Sequence, residues 1–288
     1  MRKDFTRKEY KETLSNLGFS YLGSTKSNPK VVKNTIVGQV VTYSISLLQG
    51  NLSGYEVCGA ALNSPCRALC LGYSGRAKSS ILAFGEDASP VVRARGRKTR
   101  LFYEDRDTFM NLLRYELEDA MRYADKHNMP FSVRLNCMSD ISPLAFHYKG
   151  NAENILQMYP AVQFYDYSKN FARMSLMQEY PNYDITFSYD GVNWDKCVDA
   201  LEHGHNVAVV FESPVMPTAW RGYQVVSGID SDLRYMDEKG GKIVYLLFHR
   251  TASQYKNGKY ERPDTPFVVK EDDPQCIYAF KLGRSTDE

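Results

Sequence analysis

The amino-acid sequence predicts an α/β fold: a TIM-like (β/α) barrel, either complete or irregular and incomplete on one side. Seven apolar runs of strand length alternate with helical or turn segments, the pattern of a mainly parallel sheet with right-handed crossovers. The stretch 131–190 reads strand, helix, strand, helix, strand, and its apolar runs lead into Ser139-Asp140, Asp166 and Asp190. A chain of 288 residues with 43% hydrophobic content suits a single barrel of ~250 residues with a core of normal size. An open doubly wound sheet is the alternative.

The elements follow in order. Residues 1–38 are polar and read as an N-terminal extension, with a short amphipathic element in LSNLGFSYLG and a linker from Ser24 onward. The barrel is assigned to 39–250. Its first strand is QVVTYSISLL, broken by Gln49-Gly50-Asn51. Residues 51–100 hold a cysteine-bearing loop and then a basic segment. A helix over 104–127 follows, because Leu113, Leu117, Ala120, Met121 and Ala124 fall on one face. Asn128-Met129-Pro130 ends it, and FSVRLNCM is the next strand. VQFYDY and YDITFSY are strands, each followed by a short helix, over 169–178 and 194–203. NVAVVFE, YQVVSGID and KIVYLLFHR complete the seven strands. The tail, 251–288, is polar and packs on the barrel, with an edge strand at QCIYAFKL.

The totals exclude several classes. There is no apolar run of ~18 residues, so no membrane-spanning helix is expected. The charged start, MRKDFTRKEYKETL, lacks the apolar core of a secretory signal, which points to a cytoplasmic protein. In that compartment the six cysteines are thiols, metal ligands or core residues rather than disulfides. No Gly-x-Ser-x-Gly elbow, phosphate-binding Walker loop or Gly-x-Gly-x-x-Gly turn occurs, which argues against common hydrolases, NTPases and dehydrogenases. The five histidines form no metal pattern.

Three constellations can carry chemistry. Cys58, Cys66 and Cys70 place three thiols in one loop, enough for zinc or an iron–sulfur cluster with a fourth ligand, or else three small buried residues. The segment from Arg76 to Arg100 contains Arg76, Lys78, Arg93, Arg95, Arg97, Lys98 and Arg100 against two acidic residues. Concentrated charge of this kind suits the phosphates of DNA; the plainer reading is a solvated loop. Carboxylates then recur at strand ends: Asp140, Asp166 and Asp190, with Asp230 and Asp232 after a later strand. At the mouth of a barrel they can act as nucleophile or base, or accept the N–H groups of a purine. Singly, each is also an ordinary helix cap or turn residue. Asn136 and Ser139 belong to the same loop, and Lys169 is either a site residue or an ion-pair partner.

The segments VRLNCMSDI, VQFYDYSKN, DITFSYDG, NVAVVF and GIDSDLRYMD, behind a three-cysteine loop followed by Gly-Tyr-Ser-Gly-Arg, resemble a bacteriophage family similar to the DNA-modifying relatives of tRNA-guanine transglycosylase. The resemblance covers roughly residues 40–250. It implies a barrel that exchanges guanine in DNA for a 7-deazaguanine base, in the host cytoplasm. An Asp would attack the sugar C1′, and the incoming base would displace the glycosyl-enzyme. The FYDYSK run resembles the nucleophile loop and Ser139-Asp140 a base-binding loop, so Asp166 and Asp140 are the catalytic pair, with the division of roles open. Asn136, Ser139, Asp230, Asp232 and Lys169 would shape the pocket, and the basic segment would hold DNA. The Cys-x-Cys-x2-Cys zinc run of transglycosylases has no counterpart here; the three cysteines are N-terminal and differently spaced. Two other readings stay open: a radical-type barrel with an iron–sulfur cluster on Cys58, Cys66 and Cys70, and a DNA-binding module without catalysis.

Overall fold

The computed structural model describes residues 3–73, 88–249, 255–256, 259–260 and 264–279. Arg76 and Lys78 lie outside them. The fold is mixed α/β, with helices α1 (Arg7–Leu17), α2 (Pro29–Ile36), α3 (Pro90–Glu104), α4 (Arg106–Lys126), α5 (Ile155–Met158), α6 (Leu176–Glu179) and α7 (Trp194–Glu202). The central strands are β2 (Val41–Ile45), β3 (Phe131–Arg134), β4 (Gln163–Ser168), β5 (Tyr183–Ser188), β6 (Val207–Phe211), β8 (Tyr223–Ser227) and β9 (Ile243–Leu247). Short strands β1 (Gly23–Ser24), β7 (Ala219–Trp220), β12 (Val268–Val269) and β13 (Cys276–Ile277) complete an eleven-stranded sheet. A separate hairpin joins β10 (Tyr255–Lys256) and β11 (Lys259–Tyr260).

The seven central strands run parallel in the order β2-β3-β4-β5-β6-β9-β8. From β2 to β6 the spatial order is the chain order. It lacks the reversal that defines a doubly wound sheet. Antiparallel β1 borders β2 at one end, and antiparallel β7 and β13 lie at the other. The ends do not pair with each other, so the sheet is open. All seven strands expected from the apolar runs are present. Among the described helices none is long and apolar enough to cross a membrane.

One side of the sheet is covered by α3 and α4. Asp105 separates these helices and caps α4 by accepting from Thr108 N. Helix α4 buries Phe109, Leu112, Leu113, Leu117 and Ala124. It also buries Glu116, which accepts from the Tyr10 and Tyr43 hydroxyls and from Leu22 and Gly23 N–H. Those four donors tie the N-terminal region to the helix. Residues 3–38 therefore form part of the packed fold: α1 opens with a Thr6–Glu9 capping box and closes at Gly18 in the left-handed region, and α2 begins at Pro29 behind an Asn28 cap.

The other side is covered by α2 and the turn 229–237. Asn34 Nδ2 donates to the Tyr165 hydroxyl, Asp232 pairs with Arg134, and Tyr235 packs on Tyr165 at 5.4 Å. A wedge forms between β5 and β6, which pair only through Phe187–Val207 and Ser188–Ala208. Beyond that point β12 takes the free edge of β6. Gly191, at φ +101°, makes this possible, because a Cβ there would stand 2.8 Å from Phe267 N.

Candidate active site

The carboxyl ends of the parallel strands converge on one cavity of about 260 Å³. It is walled by the loop 136–140 after β3, by Tyr167 and Lys169 at the end of β4, by Tyr189 after β5, by Leu247 and His249 at the end of β9, and by Phe267. Lys30 enters from α2. The cysteine loop after β2 contributes Cys58, Cys66 and Cys70 to the wall. This is where an α/β sheet places ligands, since the loops, not the strands, are free to carry polar groups.

The loop after β3 is held by Asp166. That carboxylate accepts from Asn136 N at 3.0 Å and from Asn136 Nδ2 at 2.8 Å. The Asn136 Oδ1 then accepts from Ser139 Oγ at 2.7 Å and from Ile141 N at 3.0 Å. The result presents Asp140 at the cavity wall. Asp140 Oδ1 accepts from Ser168 Oγ at 2.8 Å, Oδ2 accepts from Lys169 N at 2.9 Å, and Arg173 pairs with Oδ1. Arg173 is 4% exposed; it also donates to the Tyr183 hydroxyl and stands 3.5 Å from Asp166. One guanidinium thus joins the two carboxylates, as its planar fork allows.

Asp140 and Asp166 differ in what they face. Asp140 lines the cavity; Asp166 does not, and is 1% exposed. Side chains of a strand alternate between faces. Tyr167 faces the cavity, so Asp166, one residue earlier, faces the crossover layer with Arg173 and Tyr183. Burial raises the Asp166 carboxyl pKa, with Arg173 and Asn136 opposing the rise.

Lys169 is half-buried in the cavity, with its ammonium 5.9 Å from the Phe267 ring. Burial works to lower its pKa, but Cys66, Asp140, Asp190 and Cys70 outweigh that and hold it above its ordinary value. Cys58, Cys66 and Cys70 all line the cavity, and Cys137 from the β3 loop joins them. Burial pushes the Cys58 thiol up to about 12 and the Cys70 thiol to about 11. Among the described residues no three His, Cys, Asp or Glu side chains stand close enough to share a metal ion.

Asn136, Ser139, Asp140, Asp166 and Lys169, expected from sequence, come together. Asp232 is buried at 2% exposure and is the 2.5 Å partner of Arg134, away from Asp140. Asp230 is exposed and does not line the cavity. Asp190 accepts from Val192 N and Asn193 N, an ordinary turn role. The basic segment is helical where it is described. Arg93, Arg95, Arg97, Lys98 and Arg100 lie on α3, so the plainer reading of a solvated loop does not hold for them. Several of these residues are engaged within the molecule: Arg97 donates to Gly18 O, Arg100 to Ser53 O, and Lys98, 6% exposed, sits 4.5 Å from the Tyr21 ring.

Several cavity residues escaped the sequence reading, among them Lys30, Arg134, Cys137 and Tyr167. Lys30 stands in what read as a linker, although Asn28-Pro29 is a helix-start signal. Cys137 read as a strand residue. Arg134 and Tyr167 lie inside apolar runs, where a charged side chain in a buried parallel strand was the signal to notice.

A family model described as Gene product 88 matches residues 18–262. No curated protein and no solved structure matches the chain.

Proposed function

The chain belongs to the Gene product 88 family, a phage family, and we propose that it is a DNA-modifying glycosyltransferase that exchanges guanine for a 7-deazaguanine base. The observation that carries the reading is Asp140: a carboxylate at the wall of the cavity onto which the strand ends open, held by Ser168, Lys169 N–H and Arg173. The single-direction strand order also supports an incomplete (β/α) barrel as the scaffold.

In this reading an Asp140 oxygen attacks C1′ of a deoxyguanosine. The C1′–N9 bond breaks, guanine leaves with the bonding pair and takes up a proton, and a glycosyl ester forms. The incoming base then attacks C1′ through its ring nitrogen, loses its proton, and releases the carboxylate. In this reading Lys169, which lines the same cavity as Asp140, gives the proton to the leaving base and takes one from the entering base. Asp166 is a positioning residue that acts through Asn136. The flipped base would enter a cavity edged by Tyr167, Tyr189 and Phe267, side chains suited to stacking.

The test is incorporation of a labelled 7-deazaguanine into guanine-containing DNA. The wild-type protein is expected to incorporate the label, and Asp140→Asn is expected not to. Label-free DNA with folded wild-type protein would end the reading.

A second reading has its own observation. Cys58, Cys66 and Cys70, from the loop after β2, line the same cavity as Cys137, from the loop after β3, which favours an iron–sulfur cluster beside a substrate, although among the described residues no three of these thiols stand close enough to share a metal ion and they would have to draw together to hold one. Anaerobic purification separates the two. Brown protein with stoichiometric iron supports the cluster, and colourless protein without iron removes it.

A further inference from the structure

The base-exchange reading uses the ring of Tyr167 but leaves its hydroxyl, Arg134 and Lys30, all in the cavity lining, without a role. Arg134, 8% exposed, reaches one end of the cavity from β3. Its Nη1 is paired with Asp232, but its buried Nε has no partner among the described residues. Its guanidinium lies 4.8 Å from the Tyr167 ring, and the buried Tyr167 hydroxyl also lacks a partner there. Lys30 completes the group from α2. Its backbone N–H is used by the Asn28 cap, while its ammonium makes no hydrogen bond or ion pair among the described residues.

Among the described residues the charges around this end do not cancel. Arg134 is matched by Asp232, and Arg234 by Asp237. Lys30 is the cation left over. Burial lowers its pKa, Arg134 and Arg234 add to the effect, and Asp232 opposes it. His249 lines the same wall, and burial, with Lys30 nearby, lowers its pKa too, so a neutral ring is favoured there. Unmatched positive charge beside buried, unused donors is costly unless an anion arrives to use them.

We infer that this end of the cavity binds the phosphate group of a deoxynucleotide, with Lys30 supplying the charge and Arg134 Nε and the Tyr167 hydroxyl the directed donors. A phosphate suits the arrangement because its oxygens accept from several directions at once. The identity of the attached base rests on the base-exchange reading; the anion site does not. The phosphate could come from a free nucleotide or from a DNA strand.

Equilibrium binding of deoxyguanosine, dGMP and a short single-stranded oligodeoxynucleotide containing one guanine tests it, with wild-type protein, Lys30→Gln and Lys26→Gln. Lys30→Gln keeps the Arg134–Asp232 pair; Lys26→Gln removes an exposed charge outside the cavity. The expected result is that Lys30→Gln weakens at least one phosphate-bearing ligand about tenfold. Deoxyguanosine should be unaffected, and Lys26→Gln should match wild type. Loss on dGMP assigns the site to a free nucleotide, and loss on the oligonucleotide alone assigns it to a strand phosphate. Unchanged binding of both, or no binding of either to the wild type, overturns the inference. Label incorporation reads the base exchange separately. Incorporation without Lys30 dependence sinks the phosphate site alone, and Lys30-dependent dGMP binding without incorporation sinks the base exchange alone. Circular dichroism confirms that Lys30→Gln is folded.

Discussion

Two carboxylates, Asp140 and Asp166, share one arginine and have opposite surroundings. Asp140 stands in a loop at the cavity wall, and Asp166 is sealed in the layer between sheet and crossovers. Both follow apolar runs, and both look like strand-end aspartates in the sequence. Strand parity turns Asp166 away from the cavity, one residue before Tyr167, whereas the loop after β3 carries Asp140 to the cavity wall. A carboxylate that accepts from Asn136 twice and from Tyr183 builds a loop; a carboxylate at the end of that loop can meet a substrate.

Substitutions that separate the two roles are the way to break this comparison. The largest expected effect is on turnover. Asp140→Asn should lower base exchange at least ~10³-fold with little change in melting temperature, as loss of a nucleophile does. Asp166→Asn, which can still accept from Asn136, should keep measurable exchange. Equal loss in both variants, with both folded, would remove the distinction. Next comes stability. Asp166→Ala leaves Arg173 and Asn136 facing an empty, buried space and should cost ~3–5 kcal/mol, a drop in melting temperature on the order of 10 °C. Asp140→Ala also removes a partner of the buried Arg173, but it should cost less, since Asp166 still stands 3.5 Å from Arg173 and the vacated position opens on the cavity rather than on a sealed layer. Thermal melts of the two variants check the order.

The smallest effect is a pH slope. Burial raises the folded-state pKa of Asp166 above its unfolded value near ~3.9. Its contribution to stability is therefore fully present below the unfolded pKa and is lost as pH rises through the folded one. The melting temperature of wild type relative to Asp166→Asn should fall between about pH 4 and the raised folded value. A wild-type advantage that grows with pH contradicts the assignment.

Much of the scaffold was legible in the sequence, and the reason is periodicity. Buried parallel strands read as apolar runs, and all seven were found. Helix α4 declared itself through Leu113, Leu117 and Ala120. Helix α3 did not, because Arg93, Arg95, Arg97, Lys98 and Arg100 hide the face that carries Val92, Leu101 and Phe102. Their charge suggested a DNA contact, whereas Arg97, Lys98 and Arg100 fasten the helix to its neighbours. Helix α2 was missed because it is eight residues long and rich in polar groups. With it went Lys30. The loop 136–140 was found because polar residues past a strand end stand out, but which aspartate faces the cavity depended on register, which no local pattern encodes.

The most direct measurement is the mass of the protein after brief incubation with guanine-containing DNA, followed by denaturation, nuclease and protease digestion. If Asp140 attacks C1′, a deoxyribosyl-nucleotide adduct is carried by the peptide containing Asp140, is absent in Asp140→Asn, and disappears when a 7-deazaguanine is added. An adduct on the peptide containing Asp166, or no adduct from a preparation that incorporates label, contradicts the account.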